Sequence, residues 1–256
     1  MKKLLLFFVF TFSLIACNND ELNEEKEPNL PEVPETVMKL KMEENNYKTN
    51  YYYNELGFVD SLAMISDYGG NQYNYYKKFN YENAQIKSII NYQNSAYEET
   101  GNNLPKYIGK EEYIYKENVI EKEISYGASN QIIKTNTYTY QENVVIIQDN
   151  NYKIKQTFLK DNIIESKVLE NEVEKATTTY TYDTRYAPKY YIYPEAYKKI
   201  KSISRNNVKK SKYTSESHNQ TEKFILNYNS NHFLTYSANE EFYNGLVGIS
   251  TDFYRY

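Results

Sequence analysis

One cysteine, Cys17, and two histidines, His218 and His232, are all the thiol and imidazole that this chain of 256 residues contains. A single thiol excludes any disulfide within the chain, so stability has to come from packing. The histidines sit in Asn/Ser-rich turn sequence and read as solvated loop residues. No HExxH, no cysteine cluster and no Walker loop is present. Tryptophan is absent as well, which counts against a dedicated sugar platform. Long apolar runs are equally scarce. The one continuous stretch, Leu4 to Ala16, is thirteen residues, short of the roughly 20 that a membrane-spanning helix needs. Past residue 37 no segment carries apolar residues three and four apart over a dozen positions, so helices are not expected there.

The lone cysteine has a use that its position indicates. Lys2 and Lys3 precede the apolar stretch, and Leu14-Ile15-Ala16-Cys17 resembles a bacterial lipobox. Residues 1–16 then form a lipoprotein signal peptide, and Cys17 becomes the acylated first residue of the mature chain, outside the cytoplasm. Two or more acyl chains give stable anchoring. Residues 17–36 are the acylated cysteine and a tether, with Pro28, Pro31 and Pro34 at every third position. Such a spacer extends by about 3.1 Å per residue, or roughly 60 Å in all. It carries seven acids against Lys26. This acidic run directly after the cysteine resembles the surface-export signal of Bacteroidetes lipoproteins. That implies an outer-membrane lipid anchor with the domain exposed on the surface; a periplasm-facing anchor is the alternative.

Residues 37–256 form a single domain that is formally neutral, 27 basic against 27 acidic side chains. No basic field points to nucleic acid. The apolar content is dominated by tyrosine, isoleucine, valine, threonine and phenylalanine, which suit a pleated sheet. Tyrosine outnumbers phenylalanine 31 to 11, and because the two have similarly AT-rich codons, something selects the hydroxyl. A thin or one-sided sheet would do so, since tyrosine joins an apolar face to a polar tip.

These residues recur in a pattern: an aromatic-x-aromatic pair, two to four turn formers, then an apolar strand. Copies begin at Tyr51-Tyr52-Tyr53, Phe79-Asn80-Tyr81, Tyr113-Ile114-Tyr115, Tyr138-Thr139-Tyr140, Thr157-Phe158-Leu159, Tyr180-Thr181-Tyr182 and Leu226-Asn227-Tyr228. One interval, from Tyr180 to Leu226, is long enough to hold two units. Alternation puts one face of each strand inward, and Asn, Asp and Gly at the breaks suit tight hairpin turns. The expected fold is all-β: an antiparallel meander of about seven or eight hairpin repeats forming a twisted or curled sheet, with a β-sandwich as the alternative. Tyr180-Thr181-Tyr182-Asp183, with Pro188, Asn206-Asn207 and Leu226-Asn227-Tyr228 beyond it, resembles the YD (RHS-type) repeats of Bacteroidetes lipoproteins. The likeness spans roughly residues 47 to 236, although only Gly57 keeps the turn glycine and only Asp183 the aspartate. It implies the hairpin-sheet architecture alone, since these few units cannot enclose a cargo.

Carboxylate pairs such as Glu98-Glu99, Glu111-Glu112 and Glu240-Glu241 could in principle serve a glycosidase. Neighbours on a strand point to opposite faces, however, and Asp183 is read as opening a turn. Tyrosine density is the one recognition feature. Tyr73, Tyr75 and Tyr76 form one cluster; Tyr186, Tyr190, Tyr191, Tyr193 and Tyr197 form another around Pro188 and Pro194. The second is the candidate binding surface, because prolines interrupt strand pairing as a functional loop would. The competing reading is that alternate tyrosines simply cover a core. The function expected is a lipid-anchored envelope protein that acts as a non-enzymatic binding or scaffold module. It would use no cofactor or metal, its membrane contact would be the N-terminal lipid, and its partner would be a protein or glycan. A periplasmic structural or assembly factor and a glycan-processing enzyme are the alternatives.

Overall fold

In the computed structural model the described residues are 39–45, 47–68, 71–95, 106–150, 152–243 and 246–256. The signal segment, Cys17, the tether and the pair Glu98-Glu99 lie outside them, so the expectations placed there have no structural counterpart.

Strands run one after another along the chain. They are β1 (Met42–Glu44), β2 (Lys48–Tyr53), β3 (Val59–Tyr68), β4 (Asn71–Glu82), β5 (Gln85–Ser95), β6 (Lys106–Lys116), β7 (Val119–Gly127) and β8 (Ile132–Gln141). β9 (Val144–Asp149), β10 (Tyr152–Leu159), β11 (Asn162–Glu170) and β12 (Val173–Tyr186) follow. A short helix, α1 (Glu195–Ile200), precedes β13 (Asn206–Ser215), β14 (Asn219–Tyr228), β15 (Leu234–Tyr243) and β16 (Leu246–Arg255). Each strand pairs antiparallel with the next, as the repeats dictate. Each aromatic copy is the even-numbered strand of a hairpin. The long interval between Tyr180 and Leu226 holds one hairpin, β12–β13, with α1 and its flanks in the loop.

The sheet is neither open nor a sandwich. It is a closed barrel of sixteen strands among the described residues. Closure falls to the three residues of β1, where Met42 pairs Arg255 of β16 on one side and Asn50 of β2 on the other. An open meander of this size would leave two long edges unpaired, and closing it removes both. The closing contact joins opposite ends of the domain, so no local pattern announces it.

Tight turns are made with little glycine. Asn83-Ala84, Lys160-Asp161 and Asn171-Glu172 hold both central residues at positive φ, the geometry whose twist matches paired strands. The aromatic pairs lie just before such turns. Register shifts fall at the second aromatic of most copies, between Tyr52 and Tyr53, Asn80 and Tyr81, Ile114 and Tyr115, and Asn227 and Tyr228. The β8–β9 hairpin runs through without one.

Part of the excess of tyrosine over phenylalanine now has a specific cause. In four copies the second tyrosine reaches back and donates its hydroxyl to an earlier main-chain carbonyl, whereas Tyr228 donates to the Asp183 carboxylate. Tyr81 bonds Val59 at 2.6 Å, Tyr140 bonds Ile120 at 2.8 Å, and Tyr182 bonds Ile163 at 2.7 Å. Tyr53 bonds Leu40 in the same manner. The thin-sheet explanation is therefore replaced by a hydrogen-bonded tyrosine ladder around one end of the barrel. Phe158 takes the corresponding place in its copy without a hydroxyl.

That end is filled. Inward-facing Leu40, Val59, Phe79, Ile86, Ile120 and Val145 form the core, and segment 187–205 plugs it from within. Ile192, Tyr193, Tyr197 and Ile200 of the plug are all buried. Such burial stabilises by about 1.5–3 kcal/mol per large side chain, an upper bound for a compact unfolded chain. α1 begins after Pro194, carries Glu195 in its first turn and Lys198 and Lys199 in its last, and buries Tyr197 and Ile200 one turn apart. Six residues are too few to show a helical period, so this helix is not legible in the apolar pattern. Main-chain bonds tie the plug down, from Val59 to the Ile192 carbonyl at 3.0 Å and from Arg205 to the Asp161 carbonyl at 3.1 Å.

Candidate functional site

The plug is lopsided. Its apolar face packs on the wall formed by β2 to β9, and the opposite wall, β10 to β16, offers it little. Several inward positions there are small or polar, among them Ala176, Thr178, Ser211 and Ser237, which leave room that larger residues would fill. The result is a cavity of about 380 Å³ between the plug and that wall, within the range of about 300–1,000 Å³ typical of small-ligand pockets. Tyr180, Tyr182, Phe224 and Tyr254 supply its flat apolar surfaces. Gln156, Asn207 and Asp252 supply polar ones, with Ser202, Ser204 and Ser237.

Glu43 and Lys189 sit at its margin. Lys189 Nζ lies 2.8 Å from Glu43 Oε2, and Tyr51 donates to the same carboxylate at 2.8 Å. The pair is neutral overall and fastens the plug to β1. Asp252 accepts from Ser237 Oγ at 3.3 Å. Gln156 donates through Nε2 to Ser202 at 2.7 Å, yet its Oε1 is buried without a partner. Asn207 spends its amide nitrogen on Asp183 Oδ2 at 3.2 Å and on the carbonyls of Arg185 and Tyr186, and its Oδ1 is also orphaned.

A second polar cluster lies on the packed side of the plug. Lys201, just past α1, bridges Glu111 at 3.5 Å and Glu123 more closely. Tyr138 donates to Glu123 at 2.5 Å and Asn136 at 3.1 Å. Burial alone would push the Glu123 carboxyl up. The Lys201 ammonium and the hydrogen bonds from Lys201, Tyr138 and Asn136 outweigh it and hold the group below its usual range. Each carboxylate is committed to a cation or a phenol, so this cluster reads as a fastening for the plug. The pair Glu111-Glu112 divides as alternation requires. Glu111 points in toward Lys201, and Glu112 points out to Lys110 and to Tyr126 at 2.9 Å. The side chain of Glu241 is outside the described set. Among the described residues no group of three or more His, Cys, Asp or Glu could hold a metal.

The candidate tyrosines part company. Tyr193 and Tyr197 are core residues, 7% and 8% exposed, packed edge-on and tilted against Phe79 and Tyr113. They are not a recognition surface, because the proline-bounded loop folds into the barrel instead of projecting from it. Tyr186, Tyr190 and Tyr191 form a partly exposed cluster at the plug's neck, with ring centroids 4.9 to 6.3 Å apart. Arg205 donates to the Tyr186 hydroxyl at 3.0 Å. The hydrogen bond from Tyr191 and then that from Arg205 hold this phenol below its ordinary value. Lys198 lies 3.6 Å over the Tyr190 ring. Of the other cluster, Tyr75 points inward and Tyr76 outward by the register of β3 and β4, so they share no surface.

Sequence reasoning singles out none of Glu43, Gln156, Lys189 or Asp252, and names Asn207 only within the YD-repeat likeness. The only legible signal was Pro188 and Pro194 inside the longest gap between repeats, which marked an insertion but not its inward path. No protein-family model matches the sequence, and no curated protein does. Solved structures do match. The fold is similar to that of a porin-like protein from Bacteroides uniformis ATCC 8492, with a TM-score of 0.52 at 11% identity over 86% of this chain and 98% of that one. A porin-like protein from Bacteroides vulgatus ATCC 8482 aligns with a TM-score of 0.47 at 12% identity over 86% and 99%. The likeness is one of fold.

Proposed function

We propose that the protein is a lipid-anchored, non-enzymatic binding module of the cell envelope whose barrel stands in water. In this reading Cys17 alone holds it to the outer membrane, and the plugged interior is a binding site and not a conduit. The observation that carries the proposal is the chemistry of the outer wall. Outward positions run across the strands as ladders of Lys, Thr and Glu. One is Lys155, Lys167, Thr177 and Thr214; another is Glu165, Thr179, Lys212 and Thr221; a third is Thr181, Lys210, Lys223 and Glu240. A spanning barrel presents an apolar band to lipid, and each lysine at the bilayer midplane costs about 2–4 kcal/mol. The five lysines of these ladders would together cost several kcal/mol, those nearest the midplane most, a large fraction of the stability of a domain. In water these side chains stay hydrated, and solvent screens the like-charged neighbours Lys155 and Lys167, and Lys210 and Lys223. The interior supports the reading from the other side, since its closed end is a packed core fastened by ion pairs.

The test replaces residues 1–17 by a cleavable secretory signal without a lipobox. The expected product is a folded barrel in the periplasmic extract without detergent, with no conductance when added to a planar bilayer. Protein that stays with the membrane until detergent is added would refute the water-facing barrel.

A further inference from the structure

Taking the cavity as the binding site of the proposed module, we infer that it accepts a neutral sugar of one or two rings. The walls and the polar groups call for different things, and a sugar meets both. Phe224, Tyr254 and Tyr180 line the cavity with aromatic surface of the kind that C–H faces of a pyranose cover. The polar lining holds Gln156 and Asn207 with the hydroxyls of Ser202, Ser204 and Ser237. Asp252 adds a carboxylate held at 3.3 Å by one serine hydroxyl.

The charge balance narrows the class. Lys189 is already committed to Glu43 at 2.8 Å, so no cation is left over among the lining residues to receive a phosphate or carboxylate. Anions are disfavoured, and ligand hydroxyls that donate are favoured. The absence of tryptophan counts against a broad exposed platform; an open cavity lined by phenylalanine and tyrosine needs none.

The test uses the full-length protein in a detergent without a sugar headgroup, titrated with glucose, galactose, N-acetylglucosamine, maltose and lactose. Spermidine serves as the cationic control. At least one sugar should bind saturably below about 10 mM and raise the melting temperature. Asp252→Asn, which keeps the shape of the site, should weaken that binding about tenfold. Ser237→Phe, which fills the cavity, should abolish it while the barrel still melts cooperatively. Absence of saturable binding by all five sugars would overturn the inference. So would sugar binding that neither substitution alters, which would put the sugar elsewhere on the barrel, or binding of spermidine in preference to every sugar. None of these failures touches the water-facing barrel, which rests on the fractionation experiment alone.

Discussion

Raising the pH should unfold this barrel abruptly, because so many of its tyrosines are buried as neutral phenols. Burial pushes the hydroxyls of Tyr115, Tyr140 and Tyr182 up to about 12. It pushes those of Tyr51, Tyr113, Tyr138, Tyr193 and Tyr197, all under 9% exposed, further still. The direction of the linkage follows. A group whose folded value is raised contributes its stability fully below the unfolded value, near 10 for tyrosine. That contribution is lost as pH rises, because the unfolded chain then releases protons that the folded one keeps. Each unit above 10 costs about 1.4 kcal/mol per tyrosine. For the five most buried tyrosines alone the loss at pH 11 is about 7 kcal/mol, which matches the total stability of many domains. Tyrosinate absorbance in the near ultraviolet, followed together with far-ultraviolet circular dichroism, checks this. A minority of the 31 tyrosines should ionise near pH 10, and the rest in one steep step that coincides with loss of sheet signal. Smooth ionisation of all of them near pH 10, with the sheet intact, would refute the argument that the phenols are sealed in.

Three substitutions probe separate parts of the same frame. Tyr140→Phe removes the 2.8 Å bond to the Ile120 carbonyl and should cost about 1 kcal/mol in urea unfolding; no loss would mean that the ladder is decorative. Lys201→Met leaves the 5% exposed Glu123 without its cation. Allowing for the partial exposure of Lys201, it should cost about 2 kcal/mol at neutral pH. In the native protein Glu123 is held low, so its contribution is present above the unfolded value of about 4.3 and lost as pH falls through the lower folded one. The gap between native and Lys201→Met should therefore narrow toward pH 4, and a gap independent of pH would contradict the pairing. Gly109→Ala places a Cβ against the Tyr126 carbonyl oxygen at a φ of +151°, which should cost at least about 2 kcal/mol in a thermal melt. A variant as stable as the parent would show that the β6–β7 pair can give way there.

Local chemistry wrote much of this structure into the chain. Alternation in Thr178, Tyr180 and Tyr182 set the strand face, Asn83 and Asp161 marked turns, and the recurring aromatic pair counted the hairpins, all within a few residues of each other. The surplus of tyrosine was legible as a selection for the hydroxyl, but its object was not. The hydroxyls of Tyr81, Tyr140 and Tyr182 find a carbonyl some twenty residues back, as from Tyr140 to Ile120, and that distance is set by the pairing register. Closure was decided only by tertiary structure, through β1 meeting β16, because pairing across the whole chain leaves no local trace. The inward course of residues 187–205 belongs to the same class. Prolines could say that strand pairing stops, whereas only a closed barrel with an apolar interior on one side could draw Tyr193 and Tyr197 in. The cavity is the remainder of those two decisions. Its lining comes from β1, β10 to β16 and the plug, and Glu43 meets Lys189 across 146 residues, so it exists only once the ring has closed around an insertion too small to fill it.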